Sequence, residues 1–259
     1  QPHYGIGGDG VILIENSEIA DAKMRIFNKD GKEAAQGGNA IRCIGKYLYE
    51  KGIVRKNDMK IETAKGVNDV KVYSFGGKVN SASVNLGQAK LDGKNIPCVW
   101  KDEKTIVNKK ITVAGEEYEV TLVNVGNPHC VIFSDKVDAI NVKAIGAEFE
   151  NCEYFPEGVN TEFIRVVNKV TIKMRVWERG SGVTLACGTG SCAVLAAANL
   201  CGLADRRATI VLDGGEFAHI YFIDWDHVRA RRRQLNVTVM GTPEAINDRK
   251  YNNGEVVDT

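Results

Sequence analysis

Nowhere does this 259-residue chain offer the run of about 18 apolar residues that a membrane-spanning helix needs. It also lacks a surplus of charge. Its 34 Lys and Arg against 33 Asp and Glu leave a net +1, so neither nucleic acid nor a membrane surface is expected as a partner. Only 5 prolines are present, and 44% hydrophobic with 26% charged residues is a globular composition. The length suffices for one large domain or two of ordinary size. The opening QPHYGIGGDG has neither the basic head nor the apolar stretch of a secretory signal, and a cytoplasmic location is expected. The 7 cysteines are odd in number and scattered, which excludes a simple disulfide framework. No CxxC or Cys/His pair has zinc-ligand spacing, so no metal is expected. Free thiols in a reducing compartment, most of them in the core, are the simplest reading. No lysine stands in a Schiff-base context, and no metal, nucleotide or pyridoxal cofactor is called for.

What the chain does have is an internal repeat. Shifted by 150 positions, RIFNKDGKEAAQGGNAIRCI (25–44) lies on RVWERGSGVTLACGTGSCAV (175–194) without a gap. Arg25 meets Arg175, Phe27 meets Trp177, and Gly38 meets Gly188. Few residues are identical, but the order of parts is shared: strand, loop, small-residue turn, apolar helix. MRIFN and TIKMRVWE alternate like strands, while NAIRCIGKYLYEKG and SCAVLAAANLCG read as helices ended by glycine. The second helix is apolar nearly all round and so predicts burial on every side. Further strand candidates are VILIE, MKIETA, VKVYSF, SASVNLG, KKITVAG, YEVTLVNVG, CVIFS, NTEFIRVVN, ATIVLD, HIYFID and NVTVMG. The expected fold class is α/β (α+β). Two pseudo-symmetric lobes would each curl a mainly antiparallel sheet around a central helix, with a ligand in the interlobe cleft. The polar stretch KDEKTIVNKK suggests a boundary, with 1–111 plus 240–259 as one lobe and 112–239 as the other.

Helix N-termini present unpaired N–H groups and partial positive charge, so they hold carboxylates. Gly38-Asn39 and Gly188-Thr189 supply such a start twice, each also readable as a plain tight turn. Cys187 sits at the second start, where the dipole is expected to lower its pKa and favour thiolate. A thiolate there serves as a nucleophile or as a base toward a C–H proton. A buried structural cysteine is the alternative, and the sequence leaves it open.

WERGSGVTLACGTGSCA (177–193) resembles the second catalytic signature of the diaminopimelate epimerases, GNPH (126–129) another landmark, and FNKDGKEA with GGNAIRC the first signature. The resemblance runs from HYGIGGDG at 3–10 to VLDGGE at 211–216. It implies cofactor-independent inversion at an amino-acid α-carbon, interconverting LL- and meso-diaminopimelate in lysine and cell-wall biosynthesis. In that family two cysteines face opposite sides of the carbon, one removing a proton and the other delivering one. Twin helix starts stabilise the developing negative charge. Carried over, Cys187 is one thiol, and Gly38, Asn39, Gly188 and Thr189 bind the α-carboxylate and amine. Glu178 and Arg179, with Asn28, Asn127 and Asn160, read the far end of the substrate. A distal zwitterion is suited by a carboxylate and a guanidinium side by side. His129 and Glu178 are candidates for tuning the thiols. The resemblance also implies a homodimer.

The chain departs from the pattern at Gly37, where the family carries its other cysteine, as Cys187 precedes Gly188. Glycine neither takes nor gives a proton, and Cys43 lies about two helical turns away. A catalytically impaired epimerase, an inactive amino-acid-binding relative and one-sided exchange by Cys187 all follow from this, as does water standing in for the missing thiol. A racemase for another amino acid, such as histidine, is a further alternative, whereas Glu178-Arg179 argues against proline. The family's N-terminal strand and Gly-Asn turn have no counterpart here, so residues preceding Gln1 are expected. The basic run HVRARRRQLN, with arginines at 229 and 231–233, reads as a solvated hairpin.

Overall fold

The computed structural model describes residues 10–28, 31–34, 37–184 and 187–212, together with strands at 234–238 and 256–258. The described residues form two compact units, 10–86 and 87–212, the second also including residues 234–238. In the first, β1 (Gly10–Glu15), β2 (Ala22–Asn28), β4 (Asp58–Thr63), β5 (Gly66–Phe75) and β6 (Lys78–Val84) make one sheet in that order. The short β3 (Glu33–Ala34) pairs with β2, and α1 (Gly38–Glu50) packs on β5 and β6. Apolar residues at 41, 44 and 48 give α1 one buried stripe. Ile41, Ile44 and Leu48 pack there with Met24, Met59, Ile61, Val70 and Val72. Gly45 lets the sheet come close, because a Cβ there would lie 3.0 Å from Val70 Cγ1.

The second unit orders its strands β14 (Gln234–Thr238), β13 (Arg207–Leu212), β11 (Thr171–Glu178), β10 (Asn160–Asn168), β9 (Pro128–Phe133), β8 (Glu116–Asn124) and β7 (Lys109–Val113). The short β12 (Gly182–Thr184) pairs with β11. A further strand, β15, spans Val256–Asp258. Helix α3 (Gly188–Leu200) is wrapped by strands β8 to β11, β13 and β14, and its residues from Gly190 to Asn199 are all buried. Its composition, small residues and four Ala with Val194 and Leu195, fits that enclosure: no face is polar enough for water. A separate core gathers Cys130, Ile132, Phe163, Val142 and Phe149, the last two from α2 (Val142–Glu150). Because successive strand residues face opposite ways, Phe163 joins that core while its neighbour Glu162 points to the start of α3.

The structure realises the 150-residue repeat in detail. Ile26 pairs with Ala34 and Phe27 with Glu33; 150 residues on, Val176 pairs with Thr184 and Trp177 with Val183. Both long helices have 13 residues and the same C-terminal bonds, Val54 N–H to Leu48 O matching Ala204 N–H to Ala198 O. The β1–β2 register likewise maps onto β10–β11, which places Glu162 where the first unit has Ile12. The register slips only after the helix. Ala22 pairs with Ile61, but Ile172 pairs with Ile210, so the second connection is one residue shorter.

Two expectations need correction. The expected boundary at residue 111 falls inside the second unit, since residues 87–111 pack there and Lys109–Val113 pairs with β8. Residues 142–150 form a helix that the periodicity search did not pick out. The turn at 3–9, the HIYFID strand and the arginines of 229–233 lie outside the described residues.

Candidate active site

Each repeat ends its first strands in a loop that delivers a helix start. Residues 37 and 187 are the N-caps, both extended, with φ −151° and ψ 106° at Gly37 and φ −134° and ψ 110° at Cys187. The Cys187 sulfur accepts the Gly190 N–H at 3.2 Å and lies 3.6 Å from Thr189 Oγ1. Gly37 offers α1 no side-chain cap. Its backbone is in ordinary L-residue space, so glycine is not required for conformation. A Cβ there would sit 3.3 Å from Ile26 Cδ1 and 3.5 Å from Ala40 Cβ, a tight contact against the free end of one side chain.

Around Cys187 the second unit gathers most of the predicted residues. Glu178, the last residue of β11, accepts the Thr184 hydroxyl at 2.5 Å. His129 and Glu162 are fully buried, with His129 Nδ1 2.6 Å from Glu162 Oε1 and Nε2 2.9 Å from Asn127 Oδ1. Asn127 Nδ2 in turn lies 3.4 Å from Thr189 Oγ1. Asn160 donates to Pro128 O at 2.7 Å and accepts the Arg179 N–H at 3.0 Å. Its amide thus ties the GNPH strand to the Glu178-Arg179 turn. Arg179 donates to Glu157 O at 3.0 Å. In the first unit Asn28 ends β2 and Gly38 and Asn39 open α1; the side chains of Asn28 and Asn39 lie outside the described structure.

The electrostatics overturn one expectation. Burial pushes the Cys187 thiol well above its ordinary 9.0, and the Glu178 and Glu162 carboxylates push the same way. The Thr189 hydroxyl and the Gly190 N–H oppose this without reversing it. A helix start alone would favour thiolate; desolvation and two acids win. Glu178 itself rises above 4.5, chiefly through burial, with Thr184, His129 and the Cys187 thiol pulling it down. The pair therefore suits proton exchange between a neutral thiol and an adjacent carboxylate.

A cavity of about 340 Å³ within the second unit is lined by Asn127, Pro128 and Arg179 together with Lys94, Lys101 and Glu157. Among the described residues no group of His, Cys, Asp or Glu side chains could hold a metal ion, and no helix is long and apolar enough to cross a membrane. Glu162 was missed in the sequence, although an acid at an inward position of the apolar strand NTEFIRVV is a readable signal.

The diaminopimelate epimerase family model matches residues 1–91 and 121–241. The chain belongs to that family. It is one of amino-acid epimerases, enzymes of the isomerase class. The chain is 44% identical over 224 residues to the diaminopimelate epimerase of Acetivibrio thermocellus, covering 86% of this chain and 78% of that protein. It is also 44% identical over 224 residues to the enzyme of that name from Methanococcus maripaludis, covering 86% and 79%. Solved structures of the same fold include a hydroxyproline epimerase from Agrobacterium vitis with bound trans-4-hydroxy-L-proline. It gives a TM-score of 0.64 at 14% identity, over 96% of this chain and 72% of that one. A PhzF-family phenazine biosynthesis protein from Bacillus anthracis gives 0.61 at 15%, over 98% and 82%.

Proposed function

We propose that this chain binds diaminopimelate and carries one half of a cofactor-independent, two-thiol epimerase, so that LL/meso interconversion is impaired. The observation that carries the reading is the contrast between twin caps. Cys187 presents a sulfur at the start of α3 beside Glu178, and Gly37 holds the same backbone position at α1 with no side chain. The Glu178 carboxylate takes the S–H proton of Cys187, the thiolate so formed takes the α-proton, and the C–H electron pair moves toward the α-carboxylate. N–H groups at Gly188 and Thr189, with Gly38 and Asn39 of the other repeat, favour that charge. Asn127 and Arg179, which share the cavity with Lys94 and Lys101, suit a distal carboxylate. Asn28 and Asn160 complete the recognition of that end, Asn160 by holding the Arg179 turn. Inversion then needs a proton from the opposite face, and glycine has none to give. A cytoplasmic homodimer is the setting this reading implies.

Proton NMR of LL- and meso-diaminopimelate in D2O, with this chain and with Gly37→Cys side by side, tests it. The variant is expected to invert about 10²–10⁴-fold faster, the usual contribution of one acid–base group, while this chain barely inverts. Inversion by this chain unaided at a rate the variant does not exceed would refute the role given to residue 37. A second reading, an amino-acid-binding relative without turnover, is favoured by the same glycine. It predicts binding by calorimetry with no α-proton exchange in either protein.

A further inference from the structure

We propose that Glu162 is a positioning residue of the Cys187 half-site, holding the His129 ring and, through it, the Asn127 amide and Thr189 hydroxyl in the orientation that directs a donor at the Cys187 sulfur.

The groups form an unbroken chain of contacts from Glu162 to the sulfur. Glu162 Oε1 meets His129 Nδ1 at 2.6 Å, and His129 Nε2 meets Asn127 Oδ1 at 2.9 Å. Asn127 Nδ2 meets Thr189 Oγ1 at 3.4 Å, and Thr189 Oγ1 meets Cys187 Sγ at 3.6 Å. An amide oxygen only accepts, so Nε2 must carry the proton of its contact. The short Nδ1–Oε1 contact then holds one further proton between the two heteroatoms. With Nε2–H donating to Oδ1, the amide is fixed with Nδ2 toward Thr189. The hydroxyl accepts there and has its own proton left for the sulfur. Without an oxygen at Glu162 Oε1, Nδ1 is free to take the ring's proton, and the direction of these contacts is lost.

Three independent observations argue that Glu162 is not there for packing. Its Oε2 is buried with no hydrogen-bond partner among the described residues, an arrangement that destabilises the fold. The equivalent strand position in the other repeat is Ile12, so this scaffold accepts an apolar residue at that register. Gly190 leaves room for the acid: a Cβ there would stand 2.8 Å from Glu162 Oε1 and 3.1 Å from Cys187 Sγ. The charged groups acting on the thiol are Glu178 from β11 and Glu162 from β10, and His129 from β9 acts on Glu178.

The inference rests on Cys187 being the working thiol, but its test needs no substrate, so failure of diaminopimelate binding and failure of this proposal are separable. The full chain, labelled at histidine nitrogens and at cysteine Cβ carbons, is followed by NMR, with Cys187→Ala assigning the thiol. The unsubstituted chain should show a strongly downfield imidazole proton from His129. Glu162→Gln should remove it, because the amide can now donate to Nδ1. Glu162→Gln keeps the proton on Nε2, and with it the donor at the sulfur. Glu162→Ile, which places the residue of the other repeat here, removes the same charge but leaves Nδ1 free. The Cys187 titration midpoint should therefore lie higher in Glu162→Ile than in Glu162→Gln. Gly190→Ala, which displaces the carboxylate without altering it, should also remove the downfield resonance and decides the matter if Glu162→Gln does not fold. The proposal is overturned if the unsubstituted chain lacks the resonance, if it survives in a folded variant, or if the Cys187 midpoint in Glu162→Ile is not above that in Glu162→Gln.

Discussion

Glu178 ends β11 with its carboxylate beside Thr184 and the Cys187 thiol, and burial raises its pKa above 4.5. A raised acid favours folding in its protonated form. Its contribution is complete below pH 4.5 and is lost as pH climbs through the folded value. At neutral pH the charged carboxylate therefore weighs against stability, as active-site groups often do. Glu178→Gln keeps an acceptor for Thr184 and removes the charge. It is expected to melt a few degrees higher near pH 8, with the gain vanishing near pH 4. Equal melting temperatures at both would show that the carboxylate is solvated after all. Cys187, Glu178 and His129 were legible from signatures because each occupies a motif with fixed spacing. The direction of the Cys187 shift was not, since it is set first by burial, which follows from how the strands close around α3, and then by Glu178 and by Glu162, the latter 25 residues away along the chain.

The helix that escaped the periodicity search supports the Arg179 turn. Helix α2 is capped by Asn141, whose side chain accepts the Ala144 N–H, and ends at Glu150, whose carboxylate takes Trp177 Nε1–H at 2.6 Å and Gly180 N–H at 2.9 Å. Gly146 lets α2 press on Trp177, where an added Cβ would come within 2.5 Å of the side chain. Gly146→Ala should thus cost about 1–3 kcal/mol in chemical denaturation, the usual penalty of overpacking. Asn141→Ala should cost about 1 kcal/mol, the loss of one cap. If Gly146→Ala is neutral, α2 is not tightly seated on the strand that carries Glu178. Strands were readable because β-branched and apolar residues alternate along them. Helix α2 was obscured by its 9-residue length and central glycine, although Val142, Ile145 and Phe149 do follow helical spacing.

Across the whole molecule the repeat was visible as an order of parts, whereas the division after residue 86 was not. A polar stretch looks like a linker until the strand beside it is seen to pair. The most widely distributed property is burial of thiols. Cys98, Cys130, Cys152, Cys187 and Cys201 all have their pKa raised, with burial the leading cause in each. Folded thiols therefore keep their protons to higher pH than the unfolded chain, whose ordinary value is 9.0. Their stabilising contribution is complete below that value and disappears as pH rises through the folded ones. Melting temperature should fall between about pH 8 and about pH 10, the range in which free thiols ionise. Lysines and tyrosines also titrate there, so the informative quantity is the difference from Cys130→Ala. Cys130 is fully buried in β9 and packs in the core shared with α2. The variant starts less stable for want of packing, yet its melting curve should lose less over the same interval. Parallel declines in the two proteins would mean that Cys130 ionises no differently in the folded chain, and that the alkaline limit of this fold lies in other groups.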